Sequence, residues 1–75
     1  MVREIETLIV EALPDAEVTV QPNGPGHYVL RVRSEAFAGK NRVAQQRLVL
    51  SAIKPLMDGD MAPVHAIDTL ITEVK

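Results

Sequence analysis

The chain contains no cysteine and no tryptophan, and only one phenylalanine and one tyrosine. Without cysteine it forms no disulfide and offers no thiolate, so any soft-metal centre it joins takes its sulfur from elsewhere. With so few aromatics, the core must be built from Val, Leu, Ile and Ala, and it is small. No stretch approaches the ~18–20 uninterrupted apolar residues that cross a bilayer. Arg3, Glu4 and Glu6 interrupt the N-terminus where a signal peptide would need an apolar segment. The expected location is therefore the cytoplasm, with no membrane contact. Charge of one sign is also missing: the net charge of -2 gives no overall field for a polyanion and leaves only a local basic patch open.

What remains is one domain of 75 residues, near the lower limit at which an apolar core alone outweighs chain entropy. A substrate cleft would consume much of such a core, which favours a binding or adaptor role over an enzyme. No nucleophile stands at motif spacing from a base, and no glycine-rich phosphate loop is present. Asp58, Asp60 and Asp68 match no acid-base or metal pattern.

Val2, Ile5, Leu8, Ile9, Ala12 and Leu13 recur at three- and four-residue spacing, which predicts an amphipathic helix stopped by Pro14 and Asp15. Glu17 to Gln21 alternates as a half-buried strand, and His27 to Arg33 does the same with Tyr28, Leu30 and Val32 on one face. Pro22-Asn23-Gly24-Pro25-Gly26 between them reverses the chain, which predicts a hairpin. Phe37 is the natural plug for the connector Ser34 to Gly39. A second helix follows, capped by Asn41, with an apolar stripe of Val43, Leu48 or Val49, Ala52 or Ile53, and Leu56 or Met57. Pro55 should kink or end it, and Asp58-Gly59-Asp60 completes the stop. A last strand is expected from Val64 to about Glu73, but its alternation is imperfect. Ile67 and Ile71 share one phase with His65, and Val64, Ala66 and Leu70 share the other with Asp68, so the pattern does not say which face is buried.

The order α-β-β-α-β predicts an α+β layer, helices on one face of a three-stranded sheet. The hairpin pairs the first two strands, and the helical crossover brings the third in parallel, which makes the sheet mixed. His65 then stands at the start of the last strand and His27 just beyond the hairpin loop. Each can be a histidine satisfied by backbone or water, or a neutral imidazole offering nitrogen to a metal.

Phe37-Ala38-Gly39-Lys40, then Val43 and Gln46-Arg47-Leu48-Val49, then Val64-His65-Ala66-Ile67 together resemble the BolA family over nearly the whole chain. The spacing from the Phe-x-Gly-Lys turn to the strand histidine carries the specificity. Many relatives have an Arg-His pair where this chain has Gln45-Gln46, and many extend beyond the last strand, whereas this chain ends at Glu73-Val74-Lys75.

The resemblance implies a class II KH-like fold in a single domain, residues 1–75. It implies an adaptor that is monomeric alone and forms a heterodimer with a monothiol glutaredoxin and glutathione, sharing a [2Fe-2S] cluster in cluster trafficking or iron and redox regulation. It further implies that His65 is a cluster ligand and that His27 supplies the second. Two histidines without a thiolate suit such sharing, because imidazoles replace thiolates on one iron in Rieske centres. The isolated chain is then expected to carry no cofactor, and sharing should weaken as pH falls through the range in which histidines protonate. The competing reading is a nucleic-acid-binding transcriptional regulator of the stress-response kind, gripping phosphates with Lys40, Arg42 and Arg47. Gly39-Lys40-Asn41-Arg42 lacks the second glycine of a KH loop, and the same cations could instead receive an anionic partner protein. A cofactor-free structural adaptor is the third reading.

Overall fold

A computed structural model of the chain describes Met1–Lys75. Helix α1 (Val2–Ala12) leads to strands β1 (Glu17–Pro22) and β2 (His27–Ser34), a 3-10 turn at Glu35–Phe37, helix α2 (Arg42–Met57) and strand β3 (Ala66–Val74). The sheet order is β1-β2-β3, with β1 antiparallel and β3 parallel to the central β2. This is the expected α+β, class II KH-like arrangement, and the hairpin and the helical crossover account for both pairings.

The core lies between the helices and one face of the sheet. Ile5 and Ile9 from α1 and Leu13 at its C-cap meet Tyr28, Leu30 and Val32 from β2, Val49 and Ile53 from α2, and the connector residues Phe37 and Val64. Fully burying one such side chain contributes roughly 1.5–3 kcal/mol, so few of them can be spared in a domain this small. The other face of the sheet is open and carries the ion pairs Arg31–Glu73 at 2.8 Å and Arg33–Glu17 at 3.1 Å.

Polar contacts lock the ends. Ser34, fully buried, donates from Oγ to Asp15 Oδ1 at 2.7 Å and accepts from the Ala36 amide at 3.1 Å. The Glu35 amide donates to Asp15 Oδ2 at 2.7 Å. The Ser34 hydroxyl first and the Glu35 amide second hold the Asp15 carboxyl below the usual aspartate range. Asn41 caps α2 as expected, accepting from the Ala44 amide at 2.9 Å. Gln45 donates to Phe37 O at 3.2 Å and Lys40 O at 2.9 Å and accepts from Thr72 Oγ1 at 2.7 Å. Gln46 donates to Leu70 O at 3.1 Å. The two glutamines therefore tie α2 to β3 and to the turn before the helix.

Helix α2 ends two residues past Pro55, and Asp58-Gly59-Asp60 completes the stop as expected, the Asp58 amide donating to Lys54 O at 3.1 Å. Two expectations are corrected. Val43 does not join the apolar stripe: it is 58% exposed on the first turn of α2, ahead of the residues that meet the core. β3 begins at Ala66, so Val64 and His65 precede the strand. β2 starts at His27, whose partner is Ala66, and the ladder has no earlier residue to pair. Neither alternation phase holds along β3. Tyr28 pairs with Ile67 but Val29 pairs with Thr69, which leaves Asp68 as the extra residue of a β-bulge. The bulge switches the phase, so Ile67 and Leu70 both pack on the core while Ile71 is exposed.

Candidate functional site

The site is built around Gly26. The hairpin loop closes with the Asn23 amide donating to His27 O at 2.8 Å and the His27 amide donating to Gly24 O at 3.0 Å. Gly26 adopts φ +75°, a left-handed conformation that suits glycine. Its carbonyl accepts from the amides of both His65, at 2.8 Å, and Ala66, at 3.1 Å. Upstream, the amide of buried Val64 donates to Leu56 O at 3.0 Å, which anchors the connector to the end of α2. These bonds deliver His65 onto Gly26: a β-carbon added there would overlap His65 Cδ2 and lie 2.9 Å from Cγ. His27 follows Gly26 in the chain, so both histidines flank the same glycine.

The His27 ring is held from one side. Its Nδ1 lies 2.9 Å from Asp68 Oδ1, and Asn23 Nδ2 donates to Asp68 Oδ2 at 2.7 Å. These hydrogen bonds, from His27 first and Asn23 second, hold the Asp68 carboxyl below its usual range. Nδ1 is the ring nitrogen that meets the carboxylate, and Nε2 forms no hydrogen bond within the chain. The His27 side chain is 46% exposed, and His65 is exposed as well. The site therefore presents two accessible imidazoles rather than rings satisfied by backbone. Nowhere do three or more His, Cys, Asp or Glu side chains cluster as a metal site would need.

Asp68 and Asn23 were not legible as parts of this site, and Asp68, which matched no functional pattern, proves to be the partner of His27. The one signal was an aspartate inside an apolar strand, where that residue is disfavoured.

Lys40, Arg42 and Arg47 do not join the histidines. All three are exposed and form no ion pair. Gln45 links Lys40 to Thr72, which places the start of α2 beside the C-terminal half of β3, whereas the histidines lie at its N-terminal end. From Ala66 to Thr72 a strand advances roughly 20 Å, so the basic residues Lys40 and Arg42 form a separate surface. No helix is long and apolar enough to cross a membrane.

Comparison with known proteins follows the same lines. No curated protein matches the chain. BolA1 from Arabidopsis thaliana superimposes with a TM-score of 0.80 at 18% identity, covering 97% of this chain and 89% of that one. The BolA domain of SufE1 from Arabidopsis thaliana gives 0.80 at 22% identity, over 97% and 90%. A bolA protein homologue from Coxiella burnetii gives 0.77 at 25% identity, over 99% and 90%. The first two show the shared fold. A family model described as BolA-like protein matches residues 6–73, which takes in most of α1, all of β1, β2 and α2, all but the last residue of β3, and the Gly26 site. With that match over nearly its whole length, the chain belongs to the BolA family.

Proposed function

We propose that this chain is a non-enzymatic adaptor that pairs with a monothiol glutaredoxin and glutathione and contributes His65 and His27 to a shared [2Fe-2S] cluster. The observation that carries the reading is that two accessible imidazoles flank Gly26: the His65 ring lies against it, and His27 follows it in the chain with Nδ1 on Asp68 and Nε2 left open. A ligand histidine commonly gives its second ring nitrogen to a carboxylate, which is the part Asp68 plays. The donor set fits as well. Two nitrogens complete one iron in a Rieske-type division, and the absence of cysteine requires the partner and its glutathione to bring the thiolates. When bound, the cluster supplies iron and sulfide for transfer or one-electron chemistry. The chain's own part is to present the two nitrogens and to keep them fixed.

The test is titration of the chain into glutaredoxin loaded with cluster and glutathione, followed by visible absorption and circular dichroism. The wild type should change the cluster spectrum, His65→Ala should not, and His27→Ala should weaken the change. An unchanged spectrum with the wild type would contradict the reading.

One observation favours a second reading. Lys40, Arg42 and Arg47 form no ion pair within the chain, and Lys40 and Arg42 lie at the end of β3 away from the histidines, a distribution compatible with phosphate contacts. On that reading, nucleic-acid affinity falls steeply with salt, and Lys40→Ala with Arg42→Ala reduces the slope. A mobility shift that is absent at low salt removes it.

A further inference from the structure

Asp68 is the one residue of β3 between Ala66 and Val74 with no partner on β2, because the register slips between Ile67 and Thr69. A bulge bends its strand and redirects the side chains beside it. Here the redirected carboxylate faces the start of β2, and its two oxygens divide their work. Oδ1 meets His27 Nδ1 at 2.9 Å, and Oδ2 accepts from Asn23 Nδ2 at 2.7 Å. Asn23 is itself fixed by its amide, which donates to His27 O at 2.8 Å. Loop, strand start and bulge thus close a ring of hydrogen bonds around one imidazole. None of the three residues belongs to the apolar core, so packing does not explain them. Aspartate disfavours strands, and its place at the one unpaired position asks for a reason outside the ladder.

A carboxylate offers lone pairs and no hydrogen, so the proton between Oδ1 and Nδ1 resides on the ring. We propose that Asp68, braced by Asn23, is a positioning residue that fixes His27 as the Nδ1–H tautomer and aims the Nε2 lone pair away from the protein. His65 is placed by other means, through its backbone bond to Gly26 and the seat of its ring on that glycine. One histidine is oriented by a carboxylate, the other by a glycine. The tautomer stands on this geometry alone, while its use for a metal rests on the cluster reading proposed above.

The experiment is nitrogen-15 NMR of the histidine rings in the isolated chain, at a pH where the ring shifts show both imidazoles neutral. Wild-type His27 should be protonated at Nδ1. Asp68→Ala should move it to the Nε2–H form that unconstrained histidine prefers, with the His65 signals unchanged. Asp68→Asn keeps the side-chain shape but substitutes an amide that donates as well as accepts, and should give a mixture. Should amide shifts show that Asp68→Ala has lost the bulge, Asp68→Asn decides: a mixture supports the proposal and a pure Nδ1–H form overturns it. Wild-type His27 protonated at Nε2, or Nδ1–H retained in a folded Asp68→Ala, also overturns it. A second arm repeats the glutaredoxin titration, where Asp68→Asn should weaken cluster sharing by about 10–100-fold. If Asp68 variants change the tautomer while His27→Ala leaves the cluster spectrum as in wild type, the positioning role stands and the ligand role of His27 falls.

Discussion

Replacing Gly26 by alanine tests whether His65 is seated on that glycine, and Gly24→Ala provides the control. Both glycines occupy left-handed backbone, with φ +75° at Gly26 and +95° at Gly24. A β-carbon therefore costs about 1–2 kcal/mol of strain at either position. At Gly24 it meets nothing within 4 Å, so strain is the whole effect. At Gly26 it overlaps His65 Cδ2 and stands 2.9 Å from Cγ and 3.2 Å from Cβ, so the ring must leave. His65 is exposed and has room to rotate, which adds only about 0.5–1.5 kcal/mol if it settles off its preferred rotamer. The two variants should then lose similar stability, about 1–2 kcal/mol for Gly24→Ala and about 1.5–3.5 kcal/mol for Gly26→Ala. Each kcal/mol lowers the melting temperature by about 4–8 °C in a domain of this size, which far-ultraviolet circular dichroism reads directly. The decisive difference lies in His65. Its ring NMR signals should move in Gly26→Ala and stay in place in Gly24→Ala, and the glutaredoxin titration should fail only in the former. His65 signals that do not move in Gly26→Ala, or move equally in both, would refute the seating.

Phe37→Ala should cost about 3–5 kcal/mol, comparable with the whole stability of a domain this small, and leave the chain largely unfolded by circular dichroism. Ser34→Ala removes a buried hydroxyl that both caps the 3-10 turn and donates to Asp15, and should cost about 1–2 kcal/mol in urea unfolding. The folded-state pKa of Asp15 is lowered, so its contribution is complete above the ordinary aspartate value near 3.8 and is lost as pH falls through the lower folded value. Acid unfolding should accordingly become less steep in Asp15→Asn, and an unchanged acid limb would contradict the assignment. Gln45→Ala breaks three contacts among α2, the Phe37 turn and β3, and should cost about 1–3 kcal/mol in the same unfolding assay.

Where the controlling interactions are local, the chain was readable. The spacing of Ile5, Ile9 and Leu13, the alternation of Tyr28, Leu30 and Val32, the Asn41 cap and the turn residues of the hairpin each act within a few positions. Their sum gave the element order and the mixed sheet. β3 resisted because its phase is settled by a bulge, and the bulge involves Asp68 with His27 and Asn23, 41 and 45 positions away in sequence. The inward roles of Gln45 and Gln46 were hidden for the same reason: their partners on β3, the donor Thr72 Oγ1 and the acceptor Leu70 O, are contributed by the far end of the chain. His65 and His27 could be singled out by residue type and family resemblance. That they flank one glycine, that Asp68 holds only one of them, and that Lys40 and Arg42 lie at the other end of β3 are facts of the folded chain.

The central claim is that imidazole nitrogens of this chain reach the iron. The most direct measurement is pulsed electron paramagnetic resonance of the reduced complex with glutaredoxin and glutathione, using the chain labelled with nitrogen-15 at histidine. Two strong histidine couplings are predicted for the wild type, one in His27→Ala, and none in His65→Ala, which does not engage the cluster. A complex that forms with its cluster but shows no labelled-nitrogen coupling would contradict the account.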